Sequence, residues 1–162
     1  QVTYETMLPF IRQTSGPMDY TQGAMRNANR STYYPCNSEP MSQGTRSRQL
    51  ALYVILESPL NMMCDTPSNY QREPECTEAI SQIPTVWDET IVLGGITNWE
   101  ARTVNVDLPF LPEGSRQAVL FKDGVNADRI ARDYKRESLT VGKQQPLQIH
   151  LAPGGGFLLK IQ

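Results

Sequence analysis

The spacing of apolar positions changes near Pro84. Ahead of it, helical and strand-like stretches alternate. Residues Tyr4–Gln13 place Met7, Leu8, Phe10 and Ile11 as a short helix or its end would, and Gly16-Pro17 breaks the pattern. Met18-Asp19-Tyr20 reads as a short strand, and Thr21–Gln43, rich in Asn, Ser, Pro and Gly, as a long loop. Thr45–Glu57 is the clearest helix. Leu50–Leu56 make it apolar almost all round, which predicts cover on both sides, and Ser58-Pro59 ends it. Leu60–Cys64 reads as a buried strand running into Asp65. Glu73–Ile83 reads as a weaker helix with Ala79, Ile80 and Ile83 inward and Pro74 in its first turn. This order is that of consecutive β/α units.

Beyond Pro84 the period becomes two. Thr90–Leu93, Thr103–Leu108, Gln117–Phe121, Ser138–Val141, Pro146–Leu151 and Phe157–Ile161 read as strands separated by Gly, Pro, Asn and Asp turns. Val104, Val106 and Leu108 share one face. Short strands at this spacing predict an antiparallel sheet or sandwich. The predicted fold class is α/β followed by all-β, in two parts, 1–83 and 84–162.

Composition leaves this picture in place. A chain of 162 residues holds one domain or two small ones, and 39% hydrophobic and 20% charged residues are ordinary for a globular protein. A formal net charge of −2, with scattered Lys and Arg, argues against a nucleic-acid partner. The loose basic group at Arg129–Arg136 reads as a solvated face. Cys36, Cys64 and Cys76 lack CxxC spacing and lie far from His150, the only histidine, so a zinc site is not expected. No apolar run is long enough to span a bilayer. Without a signal peptide or initiator Met, the sequence reads as a piece of a longer polypeptide.

The segments GPMDYTQGAMRNA, NSEPMSQGTR, ESPLNMMCDTPSNY, IPTVWDET, ITNWEAR, FKDGVNADR and HLAPGGGF stand in an order that closely resembles the C-terminal part of glycoside hydrolase family 97. The likeness covers essentially the whole chain. It implies calcium-dependent α-glucosidase or α-galactosidase activity, with the glucosidase favoured, α-linked oligosaccharides as substrate, and a periplasmic home in Bacteroides-like bacteria. It also implies that 1–83 are the last two β/α units of a (β/α)8 barrel and that 84–162 are a C-terminal antiparallel β-sandwich. The family's acid, nucleophile and calcium-binding residues belong to motifs upstream of Gln1. The resemblance therefore implies no catalytic or metal residue in this chain, and the rest of the parent polypeptide as its first partner.

One junction departs from the family. Residues IVL-GG-ITNW read alone as a hairpin turning at Gly94-Gly95. Set against the family, which has a further hairpin here, Leu93-Gly94 is a junction across omitted residues, and this second reading is preferred.

Glycoside hydrolysis needs two carboxyl groups flanking the scissile bond. Asp19 and Asp65, each read as ending a strand, could face one barrel mouth, where such active sites lie. The competing reading for both is bracing of a loop or of a neighbouring residue. Glu39 could contact sugar or brace its own loop. Tyr20, Tyr33, Tyr34 and Tyr70 could stack on sugar rings at the same rim. The substrate-contact candidates are thus Asp19, Tyr20, Glu39, Asp65 and Tyr70. Trp87 and Trp99 read as packing residues, His150 as structural, and Gly154-Gly155-Gly156 as a tight turn or close backbone approach, because no P-loop Lys or helix follows. The alternative for the whole chain is a non-catalytic carbohydrate-binding or interaction module based on the sandwich.

Overall fold

A computed structural model of the chain describes residues 1–84 and 91–162. Helix α1 (Val2–Arg12) passes through a 3-10 turn to Gly16, whose φ of 113° lets the chain reverse. Two-residue strands β1 (Thr21–Gln22), β2 (Asn27–Ala28) and β3 (Ser42–Gln43) follow. Then come α2 (Arg46–Ile55), β4 (Met62–Met63), α3 (Pro67–Arg72) and α4 (Pro74–Ser81). β1 pairs with β4 and β2 with β3, both in parallel. The second part contains β5 (Ile91–Ile96), β6 (Arg102–Val106), β7 (Ser115–Asp123), β8 (Tyr134–Gly142), β9 (Leu147–Leu151) and β10 (Gly156–Ile161). Its strands form an antiparallel sheet of order β5-β10-β7-β8 and a separate antiparallel pair β6–β9. The architecture is mixed α/β followed by mostly antiparallel β.

Alternation along β7 and β10 builds two cores. Ala118, Leu120, Leu159 and Ile161 face Val104, Val106, Ile149 and Leu151 of the β6–β9 pair. Val119, Phe121 and Leu158 point the other way, onto Leu50, Tyr53 and Ile80 of α2 and α4. Helix α2 is therefore central to the molecule. Thr45 caps it, accepting a hydrogen bond from Arg48 N at 3.2 Å. Leu50, Ala51 and Leu52 are fully buried, in keeping with the expected two-sided cover.

Gly94-Gly95 is not a hairpin turn. β5 runs straight through both glycines, with Gly94 opposite Leu158 and Gly95 opposite Phe157. The glycines serve packing. A Cβ on Gly94 would come within 2.9 Å of the Ala51 carbonyl on α2, and one on Gly95 within 2.2 Å of the Phe157 ring. Their bare backbone lets helix and ring settle directly on the strand.

Three expectations change. The strand at Met18–Tyr20 forms later, at Thr21–Gln22, inside the stretch read as loop. Leu60–Cys64 is not buried: β4 pairs with β1 alone among the described residues, and Leu60, Met62 and Met63 remain exposed. Helix α3 lies where no helix was expected, because its six residues hold one buried apolar side chain, Tyr70, and hence no readable period. Its local signal was Thr66-Pro67, an N-cap followed by proline at the first helical position. The expectations for Trp87 and for Thr90 lie outside the described residues.

Candidate functional site

The C-terminal ends of β1 and β4 open onto a polar pocket of about 410 Å³, whose lining includes Met25, Glu39, Asp65, Asn69 and Glu73. Asp65 follows β4 and reaches across to the segment after β1. One carboxylate oxygen accepts the Met25 N–H at 2.7 Å; the other accepts the Thr66 N–H and the Asn69 side-chain amide, each at 2.7 Å. Glu39 lies on the opposite rim, paired with Arg26 at 2.6 Å.

Arg46 holds the pocket wall from behind. It is fully buried in the first turn of α2. Its Nε donates to Asn27 Oδ1 at 2.6 Å, its Nη2 to the Met25 carbonyl, and its Nη1 pairs with Glu73 Oε2 at 2.9 Å. One guanidinium thus fixes the segment after β1 against the start of α4. A cation there opposes the helix dipole, so Arg46 and Arg48 are out of place for helix formation alone. That is the sequence signal which could have marked them.

The five substrate-contact candidates divide. Asp65 and Glu39 line the pocket. Tyr70 lies behind it, buried, donating its hydroxyl to the Gly23 carbonyl at 2.9 Å and accepting the Asp65 N–H at 3.2 Å. Tyr20 turns inward, its hydroxyl 2.8 Å from buried Glu5, and burial together with that carboxylate pushes its pKa upward. Asp19 precedes β1 instead of ending it. It is exposed and is not among the residues that line the pocket. Asp19 and Asp65 therefore mark opposite ends of the parallel pair and do not share a mouth.

Tyr34 lines a smaller neighbouring cavity of about 260 Å³, and Tyr33 is exposed. Arg132, within the group read as a solvated face, lines both cavities. Trp99 packs over Gly154, and the three glycines make close backbone approaches: a Cβ on Gly155 would overlap the Asp123 carboxylate, and one on Gly156 would meet the Arg48 backbone. His150 is exposed on β9, its Nδ1 3.3 Å from the Thr103 hydroxyl.

Asp123 closes the junction between the two parts. Buried at the end of β7, it accepts the Thr45 hydroxyl at 2.6 Å and the N–H groups of Ala152 and Gly156 at 2.9 and 3.1 Å. Burial outweighs these donors and pushes its pKa up to about 6. Among the described residues, no three Asp, Glu, His or Cys side chains converge as a metal cage would require. The pocket carboxylates already hold partners, so these residues do not fit a calcium site.

Comparison with known proteins gives three findings. Residues 87–162 match the family model described as glycosyl-hydrolase 97 C-terminal, oligomerisation. The chain is 62% identical, over 182 aligned positions covering all of it and 28% of the relative, to a retaining alpha-galactosidase of Bacteroides thetaiotaomicron. Those 182 positions against 162 residues mean that the relative carries residues without a counterpart here. Structures of a family 97 enzyme from Pseudoalteromonas sp. strain K8, one with panose and one with acarbose, superpose with a TM-score of 0.86 at 30% identity. They cover 99% of this chain and 28% of theirs.

Proposed function

Because the chain belongs to glycoside hydrolase family 97, as a C-terminal portion of it, we propose that it forms one wall of the sugar pocket of a retaining α-galactosidase and braces that wall with a sandwich. The observation that carries this reading is the 62% identity, along the whole chain, to a protein of that name. The chain spans 28% of that relative's length, so activity belongs to a longer polypeptide. The galactoside is placed ahead of the glucoside that the resemblance favoured, because the relatives crystallised with panose and acarbose are only 30% identical.

A retaining glycosidase needs an acid and a nucleophile roughly 5 Å apart. Glu39, Asp65 and Glu73 are each tied to a cation or to N–H donors, which suits wall-building better than proton transfer. In this reading the reacting carboxyl groups and the calcium ligands lie upstream, in the remainder of a (β/α)8 barrel to which β1, β4 and α2 contribute two units. This chain's residues shape the pocket and limit water at its wall. The periplasmic location belongs to the same reading.

The test compares p-nitrophenyl α-galactoside with the α-glucoside. The intact polypeptide is expected to favour the galactoside by at least about tenfold in kcat/KM, and the isolated chain to turn over neither. Turnover by the isolated chain would place the reacting groups within it and overturn the proposal.

The family description favours a second role, since it names oligomerisation for the region matching 87–162. In that role the sandwich is an interaction module between copies. Light scattering of the intact polypeptide should then show an oligomer; a monomer at all concentrations sinks this reading.

A further inference from the structure

We propose that Arg46 is a positioning residue of the sugar pocket, acting with Asp65 through the peptide groups of Met25. The inference rests on the carbohydrate reading above and names the side chains that set the place of its wall.

Residues 23–26 lie between β1 and β2, outside both strand pairs, and side chains hold their backbone in place of a ladder. Gly23 donates its N–H to Gln49 Oε1 at 3.0 Å, and its carbonyl accepts the Tyr70 hydroxyl at 2.9 Å. The Ala24 carbonyl accepts the Asn27 side-chain amide at 2.9 Å. Met25 is gripped on both sides, its N–H by Asp65 at 2.7 Å and its carbonyl by Arg46. Met25 and Arg26 line the pocket, so the gripped peptide groups stand directly behind the surface a sugar would meet.

Arg46 is built to set position. It is fully buried, and a buried charge is a costly way to gain stability. Its planar fork serves three acceptors at once: Asn27 Oδ1 at 2.6 Å, the Met25 carbonyl, and Glu73 Oε2 at 2.9 Å. Two of these belong to the wall segment and the third to the start of α4. The backbone of Arg46 is fixed in turn by the antiparallel part of the chain. Its N–H donates to the Ala131 carbonyl at 2.8 Å, and the Thr45 N–H donates to the Gly154 carbonyl at 3.0 Å. Position thus passes from the antiparallel strands, through one guanidinium, to the pocket wall.

The lining balances Glu39, Asp65 and Glu73 against Arg26, Arg72 and Arg132. That balance suits a neutral sugar, whose hydroxyls both donate and accept. For such a ligand, affinity depends on where the wall stands and not on net charge.

Steady-state kinetics of the intact polypeptide on p-nitrophenyl α-galactoside test this, with Arg46→Lys and Asp65→Asn. Lysine keeps a charge for Glu73 but cannot span the Met25 carbonyl and Asn27 as well. Asparagine keeps the shape of Asp65 but offers a single acceptor oxygen. Each variant should raise KM by about tenfold with kcat held within about twofold, since a displaced wall weakens binding while the reacting groups lie elsewhere. The double variant should raise KM by less than the product of the two factors, because both act on the peptide groups of one residue. A purely structural role would lower the folded fraction, and so the apparent kcat, at constant KM. That result, parental kinetics in both variants, or factors that multiply in full, overturns the proposal. If Arg46→Lys does not fold, Asp65→Asn alone decides it. A parent polypeptide that turns over neither the α-galactoside nor the α-glucoside overturns the carbohydrate reading, and the proposal with it.

Discussion

Arg48 and Glu5 form a fully buried ion pair, Nε to Oε2 at 2.8 Å, that locks α1 to α2. The same guanidinium donates to the Val2 carbonyl at 2.7 Å and to the Thr97 carbonyl at 2.6 Å, so it also reaches the second part of the chain. The other oxygen of Glu5 accepts the Tyr20 hydroxyl at 2.8 Å and the Gln1 amide at 2.9 Å. Desolvation pulls the Arg48 pKa down, and Glu5 acts against that pull. Two charges taken out of water are held here by a complete set of partners, the condition under which a buried pair is tolerated.

Removing one partner should therefore cost far more than removing both. Arg48→Met strands the Glu5 carboxylate and should destabilise the chain by about 3–5 kcal/mol. The double replacement Arg48→Met with Glu5→Leu should recover part of that loss. Urea denaturation of the single and double variants checks it. A single variant within about 1 kcal/mol of the parent would show that the pair does not hold the two helices.

Asp123 gives stability a pH dependence. Its folded-state pKa of about 6 lies above the usual 3.8, because burial penalises the charge. Below pH ~4 the carboxyl is protonated in both states and its contribution is fully present. As pH rises through ~6 the native state must ionise a group that the unfolded chain ionises more easily, and stability is lost. The loss is on the order of 3 kcal/mol between those limits. Arg48 faces the carboxylate from α2 and His150 from β9, and both favour its charge. Asn at this position can keep the Ala152 and Gly156 bonds through its oxygen and donate to the Thr45 hydroxyl. Asp123→Asn should accordingly flatten the stability profile between pH 4 and 6. An unchanged slope would move the effect to another group.

Gly95 and Phe157 are coupled across β5 and β10. A methyl group on Gly95 would sit 2.2 Å from the ring, so Gly95→Ala should cost about 1–3 kcal/mol by overpacking. Phe157→Leu in the same chain vacates that space. The double variant should be more stable than the sum of the two single losses implies, which thermal denaturation of the four proteins measures. Strict additivity would refute the contact.

Period-two spacing made the antiparallel strands legible, since Val104, Val106 and Leu108 declare one face without help from the rest of the chain. Helix α2 was legible too, through its apolar run. The rest was hidden for physical reasons. Two-residue strands such as β1 and β4 carry no period, so Asp19 was placed at the wrong end of its strand. Gly94-Gly95 has the composition of a turn, and only the helix lying on it explains the strand. The pocket's organiser, Arg46, acts through the Met25 carbonyl, Asn27 and Glu73, contacts that sequence spacing does not reveal. Arg132 reaches the pocket from the second part of the chain, and no local pattern records that crossing.

The outward face of α1 separates the isolated chain from the polypeptide proposed for it. Tyr4, Met7, Phe10 and Ile11 are exposed along this one helix, Phe10 by 80%. Leu60, Met62 and Met63 are exposed beside β1 and β4. So much apolar surface favours association in the isolated chain. Replacing Phe10 and Ile11 by lysine should lower its light scattering and shift its stability by no more than about 0.5 kcal/mol per site, as expected where a side chain packs on nothing. If the proposed upstream barrel units cover this face in the intact polypeptide, the same pair should cost several kcal/mol there, because each buried apolar side chain contributes about 1.5–3 kcal/mol. Equal, small effects in both proteins would mean that nothing upstream packs on α1, and the placement of this chain at the end of a barrel would fall with it.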